Sequence, residues 1–291
     1  MNAKATNTAQ LVEFLRTELS PYYPEKEGNA IIFRLFEGIL SYEQTDIVLN
    51  AESTVSKADQ EKFENAVQLL KKKTPVQYIL GYTDFYNVRI NVDKRALIPR
   101  PETEELVDWI VKESGDQALR ILDVGTGSGC IAIALKKHLQ NAQVMGVDVS
   151  DDCIDLAKEN AEANQVDVNF RVQDIVDRDG SAKLVQPETL DIIVSNPPYI
   201  QYKDRYQMDE NILSYEPAKA LFVDDENPLL FYKLISLLGS VALKKDGQLY
   251  FEINEKYGDE VVDVLKKAGY VDVEQRKDIH DRNRFVRGIK E

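Results

Sequence analysis

Cysteine and histidine are scarce in this chain: Cys130, Cys153, His138 and His280 are the only ones in 291 residues. So few make neither a disulfide framework nor a zinc site. Positive charge is also in deficit, since 36 Lys and Arg face 50 Asp and Glu and leave a formal charge of -14. Nucleic-acid backbones are held by neutralising Lys and Arg. The balance therefore counts against strong nucleic-acid binding and fits a chain kept in solution by its acidity. No apolar run approaches the roughly 20 residues of a membrane span. The N-terminus is polar where a secretory signal needs an apolar stretch. These absences predict a cytoplasmic, reduced, metal-free chain with no membrane partner and no direct nucleic-acid partner; a monomer is expected, although the sequence itself does not give the oligomeric state.

What is present falls into three stretches. Residues 1–74 carry apolar residues at helical spacing: Leu11, Phe14, Leu15 and Leu19, then Ile32, Leu35, Phe36, Ile39 and Leu40, then Phe63, Val67 and Leu70. Three short helices bury such stripes only against one another, so a small bundle is expected. Residues 75–95 are rich in aromatic and β-branched residues around Gly81 and predict a hairpin linker. Residues 96–291 hold the rest. Helix is expected over Glu102–Glu113, and from Arg120 strands and helices alternate. The strands are Ile121–Val124, Val144–Val149, Val168–Val172, Leu190–Val194 and Gln248–Ile253, and Val271–Gln275 with Arg284–Ile289 is read as a terminal antiparallel pair. Alternation of this kind gives an α/β fold with a mostly parallel sheet covered by helices on both faces.

The first of these strands runs into Gly125-Thr126-Gly127-Ser128-Gly129 and then into a helix. Glycines here permit unusual backbone angles and close approach of the main chain to a ligand. The dinucleotide fingerprint wants its third glycine one residue later, where Cys130 stands, and there is no Lys-Ser/Thr pair of a P-loop. Asp148 closes the next strand, 19 residues after Gly129, and a carboxylate there accepts hydrogen bonds from ribose hydroxyls. Asp174 follows the third strand, with Ile175 beside it. Two readings stay open for this pair: contact with an adenine amino group and ring face, or a local cap on the surface.

The fourth strand leads through Ser195 into Asn196-Pro197-Pro198-Tyr199. Ligands of open α/β sheets lie beyond the carboxyl ends of the strands, so this tetrapeptide stands where chemistry is expected. An amide or exocyclic amine nitrogen is a poor nucleophile because its lone pair is delocalised. Two fixed acceptors, the side-chain carbonyl of Asn196 and the backbone carbonyl of Pro197, orient such an NH2 group and stabilise the positive charge it develops. Prolines stiffen the loop, and Tyr199 offers a face for stacking a planar group. The pattern marks methylation of a planar nitrogen without separating adenine, guanine and glutamine.

The chain resembles the HemK family of protein-(glutamine-N5) methyltransferases over nearly its whole length. The resemblance rests on Pro75-Val76-Gln77-Tyr78-Ile79-Leu80-Gly81, Asp84-Phe85-Tyr86, Leu97-Ile98-Pro99-Arg100-Pro101-Glu102-Thr103-Glu104, the glycine loop, Asp148, Asn196 to Tyr199 and Tyr215-Glu216-Pro217. It implies a Rossmann-like class I S-adenosylmethionine-dependent methyltransferase domain with a seven-stranded, mostly parallel sheet and a small N-terminal helical bundle that docks the substrate. It implies S-adenosyl-L-methionine as cofactor, held by Gly125, Thr126, Gly127, Ser128, Gly129 and Asp148, with Asp174, Ile175 and Asn196 nearby. The implied substrate is the glutamine of the Gly-Gly-Gln loop of class I peptide chain release factors, held by Asn196, Pro197, Pro198 and Tyr199. The alternative acceptor is a nucleic-acid amino group, adenine N6 or guanine N2. Phe85 and Arg100 either line the site or serve structure, Phe85 in the core and Arg100 in an ion pair with Glu102 or Glu104. Four positions depart from the family pattern: Asn254 replaces a glycine after Glu252-Ile253, Ile175 stands where some members have an aromatic, and His280 and Asp281 replace small residues.

Overall fold

A computed structural model describes residues 7–177 and 184–291. It divides into two units: residues 1–81 with 209–215, and residues 82–208 with 216–291.

The first unit is helical: α1 (Thr8–Leu19), α2 (Glu25–Leu40), α3 (Gln44–Leu49), α4 (Lys57–Leu70) and α5 (Val76–Leu80), joined by the returning helix Glu210–Tyr215. Side chains cap two starts. Asn7 accepts from the Gln10 amide before α1, and Ser56 accepts from the Asp59 amide before α4. Leu15, Leu35, Phe36 and Phe63 are fully buried, with the Phe36 and Phe63 rings 4.9 Å apart. Each such side chain contributes about 1.5–3 kcal/mol through burial. Two helices were not expected from apolar spacing. α3 is too short to carry a stripe, and reciprocal hydrogen bonds between Glu43 and Asp46 start it. α5 occupies what was expected to be the beginning of a hairpin. Val76, Ile79 and Leu80 pack on the helical core, and so the first unit ends at Gly81 rather than at residue 74. The segment 209–215 belongs to this unit because the Tyr215 hydroxyl donates to the Lys72 carbonyl at 2.8 Å and accepts from Thr74 at 3.0 Å.

The second unit begins with the antiparallel hairpin of β1 (Tyr82–Phe85) and β2 (Val88–Asn91). Its turn is at Tyr86 and Asn87, both at positive φ (40° and 62°), the two-residue geometry that matches strand twist. Gly81, expected as the turn point, instead ends α5 at φ 80°. Next come α6 (Pro101–Ser114), β3 (Arg120–Val124), α7 (Cys130–His138), β4 (Gln143–Asp148), α8 (Asp151–Asn164), β5 (Asn169–Val172) and β6 (Leu190–Ser195). A minor parallel pair, β7 (Ile200–Gln201) and β8 (Phe222–Val223), precedes the helix Leu230–Ala242, β9 (Leu243–Glu252), the helix Gly258–Lys267, β10 (Tyr270–Lys277) and β11 (Asn283–Lys290). The main sheet has seven strands in the order β10-β11-β9-β6-β3-β4-β5. Its pairs from β5 to β9 are parallel, and β11 is antiparallel to both β9 and β10. This is the expected mostly parallel sheet with its terminal antiparallel pair. Leu122, Ile193, Leu249 and Phe251 form the middle of its core. No helix among the described residues is long and apolar enough to cross a membrane.

Strand order places the functional loops. The chain moves from β3 outward through β4 to β5, then returns to the other side of β3 with β6. Such a reversal opens a crevice at the carboxyl ends of the strands. Val124 pairs with Ser195 across it, so the glycine loop and Asn196 leave adjacent strands at the same level.

Candidate active site

The glycine loop is held by backbone. The amides of Gly125 and Thr126 both donate to the Val147 carbonyl, at 2.8 and 2.9 Å, and Gly129 donates to Thr126 at 2.8 Å. Gly125, Gly127 and Gly129 have φ of 74°, 53° and 81°, a region costly to side-chain-bearing residues. At Gly129 a Cβ would also lie 3.0 Å from Ala157 and Phe170, so both backbone and packing require glycine. Asp148 closes the loop from the next strand: Oδ2 accepts from the Gly127 amide and Oδ1 from the Ser150 amide, each at 3.0 Å. Burial pushes the Asp148 carboxyl up, against the pull of these backbone donors.

Beneath the loop lies Asp123, fully buried, its Oδ2 accepting from the Thr126 hydroxyl at 2.6 Å. Burial pushes its pKa up to about 7, with the negative charge of Asp148 adding to the rise. Among the described residues, its Oδ1 and the buried Ser128 hydroxyl meet no hydrogen-bond partner. Cys130, next in sequence, is raised by burial to about 12, so its thiol stays protonated and unreactive.

These residues fit S-adenosylmethionine. Asp148 stands at the strand end beside the loop, and its two oxygens can each accept more than one hydrogen bond, which suits ribose hydroxyls. Nothing stands within 4 Å of a Cβ built on Gly125, so a ligand can approach the main chain there. Two carboxylates around the loop suit a cationic ligand and oppose a pyrophosphate.

Across the crevice, side chains hold the Asn-Pro-Pro-Tyr loop. Ser195 donates to the Val124 carbonyl at 2.7 Å, tying the two strand ends together. The Asn196 amide Nδ2 donates to Thr103 Oγ1 at 3.3 Å, and Thr103 donates to Glu252 Oε2 at 2.6 Å. The Tyr199 hydroxyl donates to Glu252 Oε1 at 3.3 Å. Thr103 and Glu252 are each 2% exposed. Burial pushes the Glu252 carboxyl up, opposed by the Thr103 hydroxyl, the Arg284 charge and the Tyr199 hydroxyl. Arg284 is in turn ion-paired to Asp278 at 3.0 Å. Pro197 is buried, and Pro198 and Tyr199 are half-buried. Asn254 donates to the Tyr199 carbonyl at 3.3 Å and accepts from the Lys256 amide at 3.0 Å, so it anchors this loop.

Arg100 does not pair with Glu102 or Glu104. Its Nη2 meets Glu216 Oε1 at 2.6 Å, while Oε2 of the same carboxylate accepts from the Ile98 amide at 3.1 Å. The pair turns on a residue 116 positions away, which is why local spacing pointed to the wrong carboxylates. Phe85 is 1% exposed on the inward face of β1, so its ring is packed in the core and presents no open face to a substrate. Asp174 accepts from the Val176 amide at 2.8 Å, which is the local-cap contact, and Ile175 is half-buried against the core cluster. His280 and Asp281 occupy the β10–β11 turn, where Asp278 accepts from the His280 amide at 2.9 Å and the Arg282 amide at 3.0 Å. Thr103, Asp123, Glu216 and Glu252 were not singled out by sequence reasoning, although all four lie within or beside its motifs. A polar residue written into an apolar strand end, as at Asp123 and Glu252, is the signal that marks two of them.

Comparison with known proteins identifies the family. Residues 10–81 match the PrmC N-terminal domain and residues 102–222 the methyltransferase small domain. A release factor glutamine methyltransferase of Bacteroides thetaiotaomicron is 41% identical over 277 residues, covering 95% of this chain and 98% of that protein. Another, from Streptococcus pneumoniae, is 37% identical and covers 96% of each chain. The chain belongs to the release factor glutamine methyltransferase family. A solved methyltransferase from Pyrococcus furiosus, 16% identical, superposes with a TM-score of 0.51 over 81% of this chain and 99% of its own, and shares the fold.

Proposed function

We propose that this protein transfers a methyl group from S-adenosyl-L-methionine to the side-chain amide nitrogen of the glutamine in the Gly-Gly-Gln motif of class I peptide chain release factors. The observation that carries the proposal is the pairing of Val124 with Ser195. It sets a cofactor-type glycine loop beside an Asn-Pro-Pro-Tyr loop on neighbouring strand ends, in a chain of this family. The substrate protein resides in the cytoplasm, and so does the reaction.

Bound S-adenosylmethionine supplies an electrophilic methyl group on a sulfonium whose sulfur leaves as a neutral thioether, so no metal is called for. The chain does the rest. Asp148 and the loop Gly125 to Gly129 hold the ribose and the amino-acid portion. Asn196 Oδ1 and the Pro197 carbonyl accept the two N–H bonds of the substrate amide and aim its nitrogen at the methyl group. Both acceptors gain strength as positive charge grows on that nitrogen, which favours the transition state over the ground state. The new N–methyl amide then loses one proton to solvent. Tyr199, held by Glu252 through its hydroxyl, presents a ring against the planar amide.

The test mixes the protein with labelled S-adenosylmethionine and, separately, a class I release factor, ribosomal RNA and duplex DNA. Label on the release factor alone, abolished when its Gly-Gly-Gln glutamine is replaced, is expected. Label on nucleic acid alone would replace the substrate reading with that of an adenine or guanine amino-group methyltransferase.

A further inference from the structure

We infer that Thr103 and Glu252 are positioning residues that decide which atom of the Asn196 amide faces the substrate. The inference rests on the role proposed above for Asn196. An asparagine side chain presents a carbonyl at one edge and an NH2 at the other, nearly equal in shape. Only the carbonyl accepts an N–H from a substrate amide. If the side chain turns over, two NH2 groups face each other and neither bond forms.

The contacts around Asn196 remove that ambiguity. A carboxylate is acceptor-only. Glu252 receives Thr103 on Oε2 at 2.6 Å and Tyr199 on Oε1 at 3.3 Å, so each hydroxyl spends its single proton on Glu252. Thr103 Oγ1 is left with lone pairs alone. It therefore takes a proton from Asn196, which must offer Nδ2, as observed at 3.3 Å. Oδ1 is then on the opposite edge of the amide. The direction of donation passes from a buried charge, through one hydroxyl, to the orientation of the loop side chain.

Burial makes the arrangement stiff. Thr103 and Glu252 are each 2% exposed, which limits the access of water that would otherwise reverse a hydrogen bond at little cost. Three separate elements supply the parts: Thr103 from the first turn of α6, Glu252 from the end of β9, and Asn196 from the end of β6. Burial works against the ionised form of Glu252, and the Thr103 hydroxyl and the Arg284 charge, itself anchored to Asp278, work for it. Alignment of the reacting groups is the quantity at stake. A misplacement of about 1 Å costs on the order of a hundredfold in rate.

Four variants test this: Asn196→Ala, Thr103→Val, Thr103→Ser and Glu252→Met. For each, kcat and KM are measured with a release factor as acceptor, together with cofactor affinity and Tm. Valine keeps the shape of threonine without the hydroxyl, serine keeps the hydroxyl without the methyl, and methionine keeps the length of glutamate without acceptors. Thr103→Val and Glu252→Met are expected to lower kcat by roughly tenfold to a hundredfold, with KM and cofactor affinity within about twofold. Thr103→Ser is expected to recover most of the activity lost in Thr103→Val. An equal loss in serine and valine would make Thr103 a packing residue and overturn the inference. So would wild-type kcat in Thr103→Val while Asn196→Ala is inactive, which leaves the role of Asn196 standing. Wild-type turnover in Asn196→Ala would instead remove the reading of the site itself. If Glu252→Met fails to fold, the Thr103 pair decides alone.

Discussion

The two loops that face each other across the β3–β6 crevice are built in opposite ways. The loop after β3 is shaped by its own backbone: glycines at positive φ, amides donating to the Val147 carbonyl, and one carboxylate from the next strand. The loop after β6 is shaped by side chains from elsewhere, Thr103 from α6, Glu252 from β9 and Asn254 just beyond it. A binding loop needs many weak donors that tolerate a whole ligand. A reacting loop needs a few acceptors held to a fraction of an ångström. The difference separates binding from chemistry by location, so substitutions on the two sides are expected to produce different defects.

The largest expected effect is on stability at the binding side. Asp123 is held near a pKa of about 7 in the fold by burial, against an ordinary carboxylate value of about 3.9. The folded state therefore binds more protons than the unfolded state between those values, and the contribution of this group to stability falls as pH rises through that window. Asp123→Asn removes the burial of charge. Relative to the wild type, it is expected to gain stability on the order of 4 kcal/mol between pH 4 and pH 8, measured by urea unfolding without cofactor at both pH values. An equal slope in the two proteins would contradict it.

Next is the chemical side. Asn196→Ala removes one of two acceptors that strengthen in the transition state and is expected to lower kcat by about a hundredfold to a thousandfold, by analogy with loss of one oxyanion-hole group. Cofactor affinity, read by calorimetry, stays within about twofold. Asp148→Ala is the mirror experiment: the dissociation constant for S-adenosylmethionine rises by roughly tenfold to a hundredfold, the worth of hydrogen bonds to a charged group, while kcat at saturating cofactor changes little. If both variants lose binding and turnover together, the division between the loops is wrong. The smallest effect is expected from Gly129→Ala, which must hold φ 81° with a Cβ 3.0 Å from Ala157. A cost of about 1–3 kcal/mol shows as a lowered Tm.

The same contrast explains what the sequence made legible. The glycine loop, Asp148 and the Ser150 cap are local patterns, and each stands where spacing placed it. The parallel sheet followed from strand–helix alternation in the same way. The side-chain relay did not, because Thr103, Asn196 and Glu252 are separated by 93 positions and by 149 positions from end to end; only folding brings them together. Arg100 and Glu216 failed for that reason as well. Phe85 sits in a motif stretch, and its place in the core is set by strand alternation in a hairpin whose start was misread. α5 was missed because five residues are too few for a helical stripe.

The most direct test of the account is to locate the methyl group. A class I release factor treated with this protein and S-adenosylmethionine is digested, and the peptide containing its Gly-Gly-Gln motif is fragmented in a mass spectrometer. One added methyl group on the glutamine side-chain amide, absent with Asn196→Ala, is the predicted result. An unmodified glutamine in the presence of active cofactor turnover, or a methyl group on another residue, would contradict it.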